Sequence, residues 1–225
     1  MTHCLDRPIW HALAEGHQHL ALGDDLARRY PPAISPFAAA RDASPEALSA
    51  LAELIQPGEE VILVEAGAVA MPDALAQRST AIALQMTNER PFAPIEDARI
   101  VALTPDSADE MLDLALLTRP GPFTRGAQSL GPFWGIWIEG RLAAMAGHRL
   151  TMTGWTELSG VCVHPDFRGQ GLARLLSHYV SRQASAGGDK VFLHAYASNA
   201  GAVRLYETLG FAVRAQMQVV VAARQ

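Results

Sequence analysis

"VCVHPDFRGQGLARLL", residues Val161–Leu176, sets a β-branched run, a proline, an arginine and paired glycines directly before an apolar-periodic segment. Thr156–Val163 reads as a strand, and His164-Pro165 stops it. From Leu172 onward, Leu175, Leu176, Tyr179 and Val180 recur at the spacing of one helix face. The stretch is therefore a strand, a glycine-bearing turn and the start of a helix. The first N–H groups of a helix lack intrahelical partners and sit at the positive end of the macrodipole, so the amides of Gly169, Gln170, Gly171, Leu172 and Ala173 form a candidate anion site. Glycine lets the backbone approach closely, and Arg168 adds a charge suited to phosphate oxygens. A phosphate or pyrophosphate fits such a loop; a bare tight turn is the other reading. A nucleotide P-loop would need a lysine followed by serine or threonine, which is missing here, and position 174 is arginine where a dinucleotide fingerprint carries its third glycine.

The rest of the composition narrows the class. The chain has 225 residues, 18% charged and 49% hydrophobic, the balance of a globular protein able to bury a core. Net charge is -5 and no Lys/Arg-rich run occurs, which argues against nucleic-acid or anionic-membrane partners. The two cysteines, Cys4 and Cys162, lie far apart, and "MTHCLDRPIW" lacks a signal-peptide pattern, so a soluble cytoplasmic protein is expected. No apolar stretch approaches the roughly 20 residues that cross a bilayer.

Working toward the N-terminus, the texture changes near residue 90. Trp10–Arg29 has mixed, partly helical periodicity; Ser44-Pro45-Glu46 provides an N-cap, an N1 proline and an early acid for a helix over Ala47–Ile55. "EEVILVEA" (Glu59–Ala66) and "STAIALQM" (Ser79–Met86) read as strands, and "TNERPFAP" (Thr87–Pro94) as a connection. Beyond it come a strand at Arg99–Leu103, a helix through Asp106–Thr118, and a long Pro/Gly loop at Arg119–Pro132 that is a candidate substrate wall. A hairpin then turns at Glu139-Gly140 within Phe133–Leu150. The expected organisation is an N-terminal α/β region over 1–90 and a second region over 95–225.

Arg168-x-x-Gly171-x-Ala173 after a Val-x-Val-x-Pro strand resembles the acyl-CoA-binding motif of the GNAT superfamily of N-acyltransferases. A second block, the strand Val191–Tyr196 followed by "SNAGAVRLYETLGF" (Ser198–Phe211), resembles that family's asparagine-to-"LYE-LGF" segment, in the same order and separation. The likeness is good over Val161–Phe211 and extends back to about Arg99; residues 1–90 would be a degenerate second copy or a family-specific cap. The resemblance implies an α/β fold with a mixed, mostly antiparallel central sheet flanked by helices, and acetyl-CoA as acyl donor with no metal.

It also implies roles. Tyr206 would be the general acid near the CoA sulfur, or else an ordinary core tyrosine. Asn199 would contact the pantetheine arm or N-cap its helix. Glu157 would be the base that deprotonates the amine, or an edge glutamate; strand parity puts it on one face with Val161 and Val163, unless a bulge intervenes. Backbone N–H groups near Val161 and Val163 would hold the thioester carbonyl and pantetheine. His3, His11, His17 and His19 crowd the N-terminus, but the i, i+2 spacing of His17 and His19 does not put both on one helical face and no matching Cys or acid pattern follows, so no metal site is expected; Cys162 reads as a packed strand residue, His148 and His194 as satisfied strand histidines, and Trp134 and Trp137 as packing the hairpin, or one of them as lining the acceptor pocket. The function expected is transfer of an acetyl group to a primary amine by a monomer or homodimer; the alternatives are a CoA-binding sensor or scaffold without turnover, or a purely structural domain. The acidic excess is compatible with cationic amines but selects no acceptor.

Overall fold

The computed structural model describes residues 3–225. Its elements are α1 (Pro8–Ala14), β1 (Leu22–Gly23), β2 (Ala27–Arg29), β3 (Ala38–Ala40), α2 (Pro45–Glu53), β4 (Glu60–Glu65), β5 (Leu75–Asn88), β6 (Ile100–Leu103), α3 (Ala108–Thr118), β7 (Phe133–Ile138), β8 (Arg141–Met152), β9 (Trp155–Val163), α4 (Leu172–Ala186), β10 (Lys190–Tyr196), α5 (Ala200–Thr208) and β11 (Ala212–Arg224). Local signals account for many boundaries. Ser44 caps α2 by accepting from the Ala47 amide, with Pro45 at its first position. The β7–β8 hairpin turns through Glu139 and Gly140, both at positive φ. The expectation for Trp10–Arg29 is corrected: α1 ends at Ala14, and residues 22–29 enter a small three-stranded sheet β1-β2-β3.

The main sheet has eight strands in the order β4-β11-β5-β10-β9-β8-β7-β6. Its pairings are antiparallel except β9 with β10, as the mixed, mostly antiparallel expectation requires. Strand β5 lies between β10 and β11, so the change of texture near residue 90 does not separate two sheets: residues from both sides of it build one. On one face α4 buries Leu172, Leu176 and Val180 against Met86, Leu158, Leu193, Tyr206 and Phe211. On the other face α1 packs Ile9 and Leu13 with Tyr30, Phe37, Trp155, Phe192 and Met217. Two layers thus cover the sheet, and the N-terminal segment supplies one of them.

Parallel pairing of β9 with β10 ends at Phe192↔Glu157, and beyond that point the two strands part. A bulge sharpens the parting. Between Ser159 and Cys162, β9 carries one more residue than β8, with Gly160 at φ +63°. A side chain on Gly160 would begin 2.7 Å from the Phe133 ring. Glycine is therefore required there twice, by conformation and by space.

Candidate functional site

The bulge decides which side chains meet. Leu158, Val161 and Val163 pack on the α4 side, whereas Glu157 pairs with residues on the opposite face. The simple parity that groups Glu157 with Val161 and Val163 is thus corrected, for the reason that an inserted residue reverses alternation. A second irregularity, in β8 between His148 and Thr151, places an extra residue opposite β9 near Arg149.

Through the opening between β9 and β10 runs a cleft of about 460 Å³. At one end it is lined by Arg168, Gly169, Gly171, Leu172, Ala173 and Arg174, in the middle by Val161, Val163, Asn199 and Tyr206, and on the N-terminal face by Phe37, Ile62 and Val64. The sequence had singled out most of the first two groups. Gln170 is exposed and does not line it, nor does Glu157.

The loop is rigidly hung. His164 accepts from the Asp166 amide, Asp166 pairs with Arg141 at 2.8 Å, and the Arg141 guanidinium lies 4.7 Å from the Phe167 ring centroid. Gly169 and Gly171 stand at φ +80° and +75°, and a side chain at either would meet nothing within 4 Å. The conformation demands glycine, and the space in front of these amides is open at the head of a 15-residue helix. A helix start of this kind holds an anion through backbone donors. Asn199 both caps α5, through Ala202 at 3.1 Å, and faces the cleft.

Tyr206 is nearly buried beside the thiol of Cys162. Burial, and then the neighbouring Cys162, push the phenol up to about 12. Burial pushes the Cys162 thiol to about 12 as well, against a hydrogen bond with Thr118. Such a thiol is not poised as a nucleophile.

Behind the cleft lies a chain of paired groups. Glu157 is fully buried; its carboxylate accepts from Arg149 Nε and Nη2 at 2.9 and 2.6 Å and from His194 Nδ1 at 2.7 Å. Burial by itself would raise this carboxyl, but the Arg149 charge and these hydrogen bonds reverse the effect and hold it at about 2. Arg214 donates to Gln85 Oε1 at 2.7 Å, which orients the amide, and Gln85 Nε2 then donates to the Leu5 carbonyl at 2.8 Å and to His194 Nε2 at 3.1 Å. This pattern uses His194 Nε2 as the acceptor from Gln85 and Nδ1 as the donor to Glu157. Arg149 and His194 line the cleft. Sequence reasoning passed over Arg149, and it missed the apolar wall from the first half because an isolated Phe37 or Val64 carries no motif.

The remaining demoted residues have structural partners: His17 bonds Tyr30 at 2.8 Å, His11 bonds Glu15 at 2.9 Å, His3 caps the turn at Leu5, His148 bonds the Val180 carbonyl at 3.1 Å, and Trp134 packs on His148 and Tyr179. Trp137 is partly exposed on β7. No helix among the described residues is long and apolar enough to cross a membrane.

Comparison with known proteins adds the relatives. Residues 134–220 match the family described as FR47-like protein. The chain is 42% identical to a protein from Novosphingobium aromaticivorans assigned to the GNAT acetyltransferase family, with a TM-score of 0.93 and 100% of both chains covered. A GCN5-related N-acetyltransferase from Kribbella flavida is 20% identical over 96% of this chain and 95% of its own, at a TM-score of 0.62, and shares the fold. Over 74 residues, 32% of this chain, it is 40% identical to the [ribosomal protein bS18]-alanine N-acetyltransferase of Escherichia coli (strain K12). That match spans about half, 49%, of the curated relative's length.

Proposed function

The chain belongs to the GNAT family of acetyltransferases, and from that premise we propose that it moves the acetyl group of acetyl-CoA directly to a neutral primary amine. The observation that carries this reading is the single cleft in which the glycine loop, the opened β9 edge and Tyr206 meet. The donor pyrophosphate would rest on the amides of Gly169–Ala173 with Arg168 beside it, and the pantetheine arm would follow Val161 and Val163 past Asn199. Main-chain N–H groups on β9 beyond its last pairing with β10 would stabilise the developing oxyanion.

The proton account closes without an added base. The amine nitrogen forms the C–N bond, the C–S bond breaks, and the proton given up by nitrogen balances the one taken by sulfur. Tyr206 delivers that proton at the thiolate and is restored through solvent. Burial keeps the Tyr206 phenol protonated until it is needed, since it lies above its ordinary value. Glu157, held at about 2 with its oxygens occupied, is a poor base, and we assign it to positioning Arg149 and His194. The amine instead arrives neutral, because an apolar cleft disfavours an ammonium.

A cytoplasmic location accords with the bacterial ribosomal-protein acetyltransferase that part of the chain resembles. A panel of amines mixed with acetyl-CoA, followed by release of the free CoA thiol, tests the reading. Saturable, amine-dependent release supports it; donor binding with no release from any amine would favour a sensor or scaffold.

A further inference from the structure

Past Tyr206 the cleft continues onto the N-terminal face, where Ile9, Phe37, Ile62, Val64 and Ala83 line it. Among the described residues, no aspartate or glutamate lines any part of the cleft. A polycationic acceptor would find its charges unpaired in apolar surroundings there. The charged groups that this wall does present are Arg149 and Arg119.

Arg149 commits Nε and Nη2 to Glu157, and its guanidinium lies over the Phe37 ring at 5.0 Å from the centroid. Its remaining nitrogen, Nη1, is 4.0 Å from where a side chain on Gly121 would begin, so it points toward the Arg119–Pro122 loop that closes the cleft. The Arg149–Glu157 pair is neutral as a unit, and no acidic side chain among the described residues lines this end, so the charge of Arg119 stands uncompensated there. A half-buried guanidinium nitrogen beside an uncompensated cation is a receptor for a carboxylate. Apolar walls alongside it receive a hydrocarbon side chain.

Resting on the donor reading above, we propose that the acceptor is a free α-amino acid with an apolar side chain. Its carboxylate binds Arg149 Nη1 with Arg119 nearby, its side chain lies on Phe37, Ile62 and Val64, and its α-amine is left to reach the thioester at Tyr206.

The test compares acceptors on the unmodified protein at saturating acetyl-CoA: leucine, phenylalanine and methionine, their amides, an alanine-ended tripeptide, and spermidine. Loss of one charge-assisted partner predicts kcat/KM for the free acids about tenfold to a hundredfold above the amides. Equal or better turnover of the amides, the tripeptide or spermidine overturns the proposal. Ile62→Phe, on the rim of the wall, should shift preference from phenylalanine toward alanine, and an unchanged preference contradicts the side-chain placement. Acetyl-CoA binding measured alone separates the two levels. Binding without acetylation of any free amino acid removes only the acceptor assignment, whereas no donor binding removes both.

Discussion

His194 Nδ1 donates to Glu157 Oε1 at 2.7 Å, joining the last β9 residue paired with β10 to a β10 residue two positions beyond that pairing, where the strands part. The carboxylate is thereby tied to the geometry of the opening as well as to Arg149. Glu157→Gln breaks a buried ion pair from one side, which costs about 3–5 kcal/mol because it leaves Arg149 uncompensated. A large fall in Tm is expected, with the pH–rate profile of the surviving enzyme unmoved. A normal Tm with loss of the acidic limb of that profile would restore Glu157 as the base.

Tyr206→Phe removes a donor and almost no volume. Acetyl-CoA affinity should be unchanged while kcat falls about 10²–10⁴-fold. Single-turnover measurement of thiol release checks this, and an unchanged kcat would remove the acid role.

Gly171→Glu places a carboxylate before the loop amides and forces a side chain onto φ +75°. The backbone strain alone is about 1–2 kcal/mol. Donor affinity should be lost in a protein that still folds, since a side chain at this position meets no neighbour within 4 Å. Retained affinity in the folded variant would place the donor elsewhere.

Acid should destabilise the fold in two stages. Burial, and then the charge of His19, hold His17 down at about 4 against an ordinary 6.5. Glu157 is held at about 2 against an ordinary 4.5. Both folded values lie below the unfolded ones, so the unfolded chain binds more protons and each contribution is whole above its unfolded value. His17's contribution is lost between pH 6.5 and about 4, and that of Glu157 between 4.5 and about 2. Each amounts to something on the order of 3 kcal/mol. Chemical denaturation across pH checks the first stage: His17→Gln should flatten it, and an unaltered slope above pH 5 would contradict the assignment.

Residues 161–211 were legible because their chemistry is local. A glycine loop at a helix start, an asparagine cap and an amphipathic face are written in adjacent positions, and the structure brings Arg168, Gly171, Asn199 and Tyr206 to one cleft as expected. What the sequence concealed is long-range. Neither the insertion of β5 between β10 and β11 nor the bulge at Gly160 leaves a periodic signal, and that bulge is what turns Glu157 away from Val161. Arg149 looked like one strand cation among others, because its partners come from β9 and the N-terminal segment. Short runs such as Leu22–Gly23 and Ala27–Arg29 fall below the length at which a period can be read.

The most direct measurement is a calorimetric titration of the protein with acetyl-CoA, with CoA and ATP as comparisons. Saturable one-site binding of both CoA species, absent for ATP, is the result predicted by a loop that holds the donor pyrophosphate and a cleft that receives its arm. No heat from acetyl-CoA with a demonstrably folded protein, or equal binding of ATP, would contradict it.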